Sequence, residues 1–84
     1  MARDYRLFEI FSMTDKAAQE AVLHALRAQD DLAVEEAESV GKPIVLVRCR
    51  SARRAGSVAS RVAKLDPGSM LIRSSSSTPT SLAG

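Results

Sequence analysis

The chain has 84 residues and a net charge of +2. Hydrophobic residues make up 45% of it, and aromatic residues only 4%. This length predicts one small domain with little stability to spare, and the charge is too small to require a polyanionic partner. A single cysteine excludes an internal disulfide and a cysteine-based zinc cluster, and we expect no cofactor and no metal.

The chain contains no run of about 20 apolar residues of the kind that spans a bilayer. Its first residues lack the long apolar stretch and the small-residue cleavage site of a signal peptide. We therefore expect a cytoplasmic protein that does not enter a membrane.

The first half of the chain predicts a strand, a helix and a second strand. Residues 4–13 are apolar at both alternating positions, which is typical of a central strand covered on both sides. Residues 15–29 repeat apolar side chains with the period of a helix. Residues 32–40 alternate apolar and acidic side chains, so we expect a strand with one face in water.

The second half repeats this order after a turn at Gly41-Lys42-Pro43. Residues 44–50 are the strongest strand in the chain, because consecutive β-formers fill both of its faces. Ser51 is placed to cap a helix over residues 52–65. Asp66-Pro67-Gly68 then predicts a stop and a turn.

The end of the chain predicts a short strand and a tail. Residues 69–74 carry the apolar side chains of a last strand. Residues 75–84 are rich in Ser, Thr and Pro and have no apolar pattern, so we expect them to be disordered. The predicted organisation is a single α+β domain over residues 1–74 followed by this tail.

The predicted order of elements is β-α-β-β-α-β. Right-handed crossovers then place both helices on one face of a four-stranded antiparallel sheet. This order resembles the ferredoxin-like superfold, which implies an α+β architecture with the first and third strands in the centre. The superfold hosts many unrelated functions, so function has to be argued from sites.

The two central strands are apolar on both faces, although the helices can cover only one. We assign to the helix side five side chains, Phe8, Ile10, Val45, Val47 and Cys49. We assign to the uncovered side a second apolar set, Tyr5, Leu7, Phe11, Ile44 and Leu46. Glu9 and Arg48 are expected to pair across strands on that side. An uncovered apolar patch usually marks an interaction surface, and a two-fold dimer buries such a patch twice. The alternatives are a monomer whose uncovered side is shielded by the tail or by long side chains, and a small ligand or a different protein bound there.

A basic segment at the start of the second helix is a candidate anion site formed by Arg50, Ser51, Arg53 and Arg54. Cations in the first turn oppose the helix dipole, whereas free backbone amides and arginines are what a phosphate site uses. The same segment also fits a solvated basic surface paired with the acidic second strand, and this is the interpretation that the sequence favours. It lacks the glycine spacing of a P-loop.

Charge is distributed unevenly along the chain. Residues 30–39 hold five acids and no base, whereas residues 42–73 hold eight bases and one acid. Opposed patches of this kind suit reciprocal contacts between copies, and they equally suit a solvated surface.

The sequence does not indicate a set of catalytic residues. His24 is the only histidine and falls on the outer side of the first helix, and Cys49 has no histidine near it in sequence, so neither a triad nor a metal site is predicted. The chain has no asparagine, which acylphosphatases need, and no Cys-x-x-Cys pair of heavy-metal-binding domains. The dimeric α/β-barrel families resemble this chain in packing sheets face to face, which implies a small-molecule-binding protein or an enzyme as one alternative.

The leading interpretation is a non-enzymatic, self-associating regulatory, adaptor or accessory-subunit protein. It is expected to form a homodimer, or to bind another protein, through the uncovered side of the sheet. The first alternative is phosphate or nucleic-acid binding at the basic start of the second helix, and the second is the dimeric α/β-barrel kind.

Overall fold

The computed structural model describes residues 6–75. Its elements are β1 (Leu7–Ser12), α1 (Lys16–Arg27), β2 (Ala33–Ser39), β3 (Lys42–Cys49), α2 (Ala52–Leu65) and β4 (Met70–Ser74). The strands form one antiparallel sheet in the order β2-β3-β1-β4, with β1 and β3 in the centre. This is the ferredoxin-like α+β fold that the sequence predicts. The predicted tail lies outside the described residues except for Ser75.

Both helices begin at a side-chain cap. The Asp15 carboxylate accepts a hydrogen bond of 2.8 Å from the amide of Ala18 at the start of α1. The Ser51 hydroxyl accepts one of 3.1 Å from the amide of Arg54 at the start of α2. Each cap satisfies a helix amide that has no partner inside the helix, so the predicted role of Ser51 as a cap is confirmed.

The core lies between the helices and one face of the sheet. The helices contribute Val22, Leu23, Leu26, Ala55, Val58 and Val62. β3 contributes Val45, Val47 and Cys49, as predicted.

The prediction of sides is wrong for β1. Phe11 belongs to the helix-side core and Leu7 packs against it, whereas both were assigned to the uncovered side. Glu9 lies between these two residues on the same face of β1 and is only 3% exposed. Phe8 and Ile10, assigned to the helix side, lie on the opposite face.

The number of apolar side chains on each face of β1 explains this outcome. Leu7, Phe11 and the following Met13 all reach the core when one face turns to the helices. The other choice would bury only Phe8 and Ile10. A fully buried side chain of this kind contributes about 1.5–3 kcal/mol, which offsets the cost of enclosing the carboxyl group of Glu9.

Two loops at one end of the sheet are tied together by Asp66. Its carboxylate accepts hydrogen bonds from the backbone amide of Thr14 (2.8 Å) and from the Thr14 hydroxyl (2.6 Å). It also accepts one from the amide of Gly68 (3.2 Å). Burial by itself would raise the pKa of Asp66, but these hydrogen bonds more than offset it and the pKa is lowered. Asp66 therefore fixes the connection into α1 against the connection out of α2.

Candidate functional site

The open face is the side of the sheet that carries no helix, and its centre consists of Phe8 and Ile10 of β1 and Ile44 and Leu46 of β3. None of these four belongs to the helix-side core. Ile44 is only 6% exposed, and the other three are half-buried. Among the described residues, the open face is thus a sheet surface with an apolar centre.

The register of the sheet brings the open face together. Ile10 lies directly opposite Leu46, Ser12 opposite Ile44 and Phe8 opposite Arg48. Side chains of directly opposed residues in an antiparallel pair are in contact distance. The aliphatic centre is therefore continuous across β1 and β3.

The edge strand β4 extends this surface. A bulge shifts its pairing with β1, so that Arg73 lies opposite Ile10 and Leu71 opposite Phe11, with Ile72 as the extra residue. Ile72 is 55% exposed. A shallow depression of about 420 Å³ lies here, lined by Ile10, Ser39, Ile44, Ile72 and Arg73.

The charges of the open face lie at its two edges and at one end. Glu35 of β2 pairs with Leu46 at one edge, and Arg73 of β4 pairs with Ile10 at the other. Arg48 lies beside Phe8 on β3. These three charged side chains are exposed.

The predicted interface residues are divided between the two faces. Ile44, Leu46 and Arg48 lie on the open face, as predicted. Leu7, Glu9 and Phe11 do not, because they face the helices. The predicted cross-strand pair of Glu9 with Arg48 is therefore wrong. Glu9 lies opposite Val47 and Ser74 instead, and Tyr5 lies outside the described residues.

Sequence reasoning missed Phe8 and Ile10 as open-face residues. One signal could have found them, because Met13 continues the alternation of Leu7, Glu9 and Phe11 and gives that set one more apolar side chain for the core. It missed Glu35 and Arg73 for a different reason, since their places depend on the pairing of strands.

The candidate anion-site residues do come together. Arg50, Ser51, Arg53 and Arg54 line one depression of about 430 Å³. Asp31, just before β2, lines the same depression. The lining therefore mixes three arginines with one carboxylate and the hydroxyls of Ser51 and Ser57.

Arg54 is engaged within the chain. Its guanidinium donates to both carboxylate oxygens of Asp31, at 2.7 and 3.1 Å, and to Gln29 (3.2 Å) and the Ser57 hydroxyl (3.1 Å). The hydrogen bond from Arg54 lowers the pKa of Asp31. The Ser51 hydroxyl is also occupied as the helix cap. These contacts favour the reading in which the basic segment pairs with the acidic part of the chain.

A second basic cluster lies in a groove of about 320 Å³ between α1 and α2, and sequence reasoning did not single it out. Arg54, Arg61 and Lys64 line it above a floor that includes Leu26 and Val58. The spacing of these cations along one side of α2 is the signal that could have found it.

No grouping of His, Cys, Asp and Glu with metal-site spacing occurs within residues 6–75. His24 is exposed on α1. Cys49 is fully buried. Burial raises the pKa of its thiol, and the nearby Glu9 raises it further. A raised pKa makes a thiol less reactive.

Comparison of the chain with models of known protein families, with curated proteins and with solved structures gives no match. Neither helix in residues 6–75 is long and apolar enough to cross a bilayer. The open face, with its apolar centre and its charged edges, is the surface on which a function can be argued.

Proposed function

We propose that this chain is a non-enzymatic, self-associating module of the regulatory, adaptor or accessory-subunit kind, and that two copies bind through their open faces. The observation that carries the proposal is the apolar centre of that face. Ile10 and Leu46 lie side by side there with no helix over them. Removing apolar surface from water stabilises a contact by about 25 cal/mol per Å².

A second copy is the partner that this face fits best. The apolar centre is self-complementary in chemistry, and the face has an acid, Glu35, at one edge and a base, Arg73, at the other. A two-fold contact uses the same patch on both subunits. A copy therefore supplies both the apolar surface and the opposite charge.

The size of the face sets the expected affinity. Four strands spaced about 4.8 Å apart give a surface roughly 20 Å wide. A contact of this width is at the small end of specific interfaces, where complexes are weak to moderate. We therefore expect a dimer with a dissociation constant in the micromolar range.

Sedimentation equilibrium of the full chain, from micromolar to submillimolar concentration, tests this proposal. Leu46→Asp places a charge at the centre of the contact, and we expect it to weaken the dimer about a hundredfold or more because that charge is buried without a partner. Leu46→Thr is a milder second variant that keeps a β-forming residue. We expect it to weaken the dimer about tenfold.

Val40→Asp is the matched control, since it makes the same kind of change on a side chain that is 99% exposed in the β2–β3 turn. We expect it to dimerise as the original chain does. Circular dichroism establishes that each variant is folded. An original chain that stays monomeric over the whole range contradicts the proposal, and so does a folded Leu46→Asp chain that dimerises equally well.

Two alternatives stay predictions. Phosphate or nucleic-acid binding would use Arg50, Arg53 and the capped start of α2, with Arg54 already bound to Asp31. A small-molecule-binding protein or enzyme of the dimeric α/β-barrel kind would also need the open faces to meet.

A further inference from the structure

We propose that the two subunits are related by a two-fold axis that runs along the strands between β1 and β3, and that Glu35 of each subunit binds Arg73 of the partner subunit. This inference rests on the proposed function and adds the geometry and the specificity of the contact. It assigns a role to two charged residues that lie on different edges of the sheet.

The observation behind it is a single row of residues across the sheet. Glu35 pairs with Leu46, Leu46 pairs with Ile10, and Ile10 pairs with Arg73. The row therefore reads acid, aliphatic, aliphatic, base from β2 to β4. Three strand spacings of about 4.8 Å separate its ends by roughly 14 Å. At that distance, Glu35 and Arg73 of one subunit do not form an ion pair with each other.

Two orientations are open to sheets that pack with their strands aligned. An axis along the strands reverses the strand order, so β2 lies over β4 of the partner subunit and β3 over its β1. Glu35 then meets Arg73 of the partner subunit, twice in each dimer. Leu46 meets Ile10 of the partner subunit, also twice.

An axis across the strands gives the opposite result. It keeps the strand order, so that β2 lies over β2 and β4 over β4. If the axis crosses this row, Glu35 would meet Glu35 and Arg73 would meet Arg73. If it crosses another row, Glu35 would lie over an uncharged residue of β2, because the register places Ala33, Ala37 and Ser39 on this face. Like charges in a contact oppose association, so the charge order of the row favours the axis along the strands.

The two neighbouring rows fit the same axis. In one row, Arg48 and Phe8 are directly opposed, so each Arg48 would lie over Phe8 of the partner subunit. An arginine over an aromatic ring is attracted by the ring's electron density. In the other row, Ala37 at one edge would lie over Met70 of the partner subunit, a small side chain against a large one, which lets two sheet faces interdigitate.

Charge reversal tests the inference. Glu35→Lys and Arg73→Glu each turn two attractive contacts in the dimer into two repulsive ones. We expect each to raise the dissociation constant about tenfold at low salt. The double variant, which carries both changes, restores the attraction in the axis along the strands. We expect its dissociation constant to return to within about threefold of the original.

Glu38→Lys is the matched control for Glu35→Lys. It makes the same change on the same strand. Glu38 pairs with Pro43 and lies three residues from Glu35, so its side chain points to the opposite face of the sheet from Glu35. We expect it to leave the dissociation constant unchanged.

The outcomes separate the two proposals. If Leu46→Asp dissociates the dimer but neither single charge reversal weakens it, the proposed axis is wrong and self-association through the open face still holds. Single reversals that weaken the dimer without rescue in the double variant also overturn the pairing of Glu35 with Arg73. An original chain that never dimerises overturns the proposed function itself.

Discussion

Glu9 is a carboxyl group enclosed beneath the helices. It is 3% exposed, and its Oε1 has no hydrogen-bond partner among residues 6–75. Its neighbours across the strands are Val47 and Ser74, and the buried thiol of Cys49 lies near it. Burial raises the pKa of Glu9 from 4.5 to about 7. At pH values between 4.5 and about 7 the folded chain therefore holds a proton that the unfolded chain has released.

We predict that the free energy of unfolding falls as pH rises from about 5 to about 8, and that Glu9→Gln removes most of this fall. Between the unfolded pKa of 4.5 and the folded pKa of about 7, folding requires proton uptake. At about 1.4 kcal/mol per pKa unit, the loss is about 3 kcal/mol. Urea unfolding at several pH values measures it.

Glu20→Gln is the control for this prediction, because Glu20 is an exposed glutamate on α1. It should follow the original chain at every pH. If the Glu9→Gln chain loses as much stability between pH 5 and 8 as the original chain does, the folded protein does not hold that proton.

The position of Glu9 shows that the sequence of a single strand does not determine which of its faces packs against the helices. Alternation groups Leu7, Glu9 and Phe11 together and Phe8 with Ile10, but both sets are largely apolar. The choice is made by what else reaches the core, namely Met13 beyond the end of β1. For β3 no such ambiguity arose, because Arg48 indicates its outer face.

The β2–β3 hairpin contains a strained residue. Ser39 pairs with Lys42, so the loop consists of Val40 and Gly41 alone. Both have positive φ, 52° and 77°, as in the two-residue turns that favour Asn-Gly. A β-branched residue rarely adopts this conformation. The Val40 side chain is 99% exposed, so no packing offsets the strain.

Val40→Asn should stabilise the domain by about 1 kcal/mol, because Asn tolerates the left-handed region and Val does not. Equilibrium unfolding in urea measures the change. Val40→Thr is the control, since it also adds a polar atom but keeps the branched Cβ, and it should have little effect. Equal stabilisation by Thr and Asn would mean that solvation of the side chain, not backbone strain, is responsible.

At the level of elements, the sequence correctly predicts the order of the strands and helices and the ends of α2. It predicts the position of the β2–β3 turn less well. Ser51 and Asp66-Pro67-Gly68 mark the two ends of α2, because capping and turn chemistry are local. The turn was expected at Gly41-Lys42-Pro43, but the loop is Val40–Gly41 and Pro43 lies within β3. Valine is a strong β-former, so its sequence signal favours a strand at the position where the chain turns.

At the level of the whole molecule, the acidic residues of segment 30–39 and the basic residues of segment 42–73 do not form two separate charged surfaces. Of the acids in residues 30–39, Asp31 binds Arg54 within the chain, and Glu36 lies 3.9 Å from Lys16 of α1. Glu35 is the acid of β2 that its register places on the open face. The candidate contact between copies therefore depends on strand pairing, which composition does not reveal.

Association should also contribute to folding stability, because a domain of this size is marginal alone. If only the folded chain dimerises, mass action raises the melting temperature with protein concentration. From the usual enthalpy per residue, we expect about 4 °C for each tenfold increase above the dissociation constant. Calorimetry over a hundredfold range measures this, with folded Leu46→Asp as the monomeric reference whose melting temperature stays constant. A melting temperature of the original chain that is independent of concentration would show that its open face contributes nothing through association.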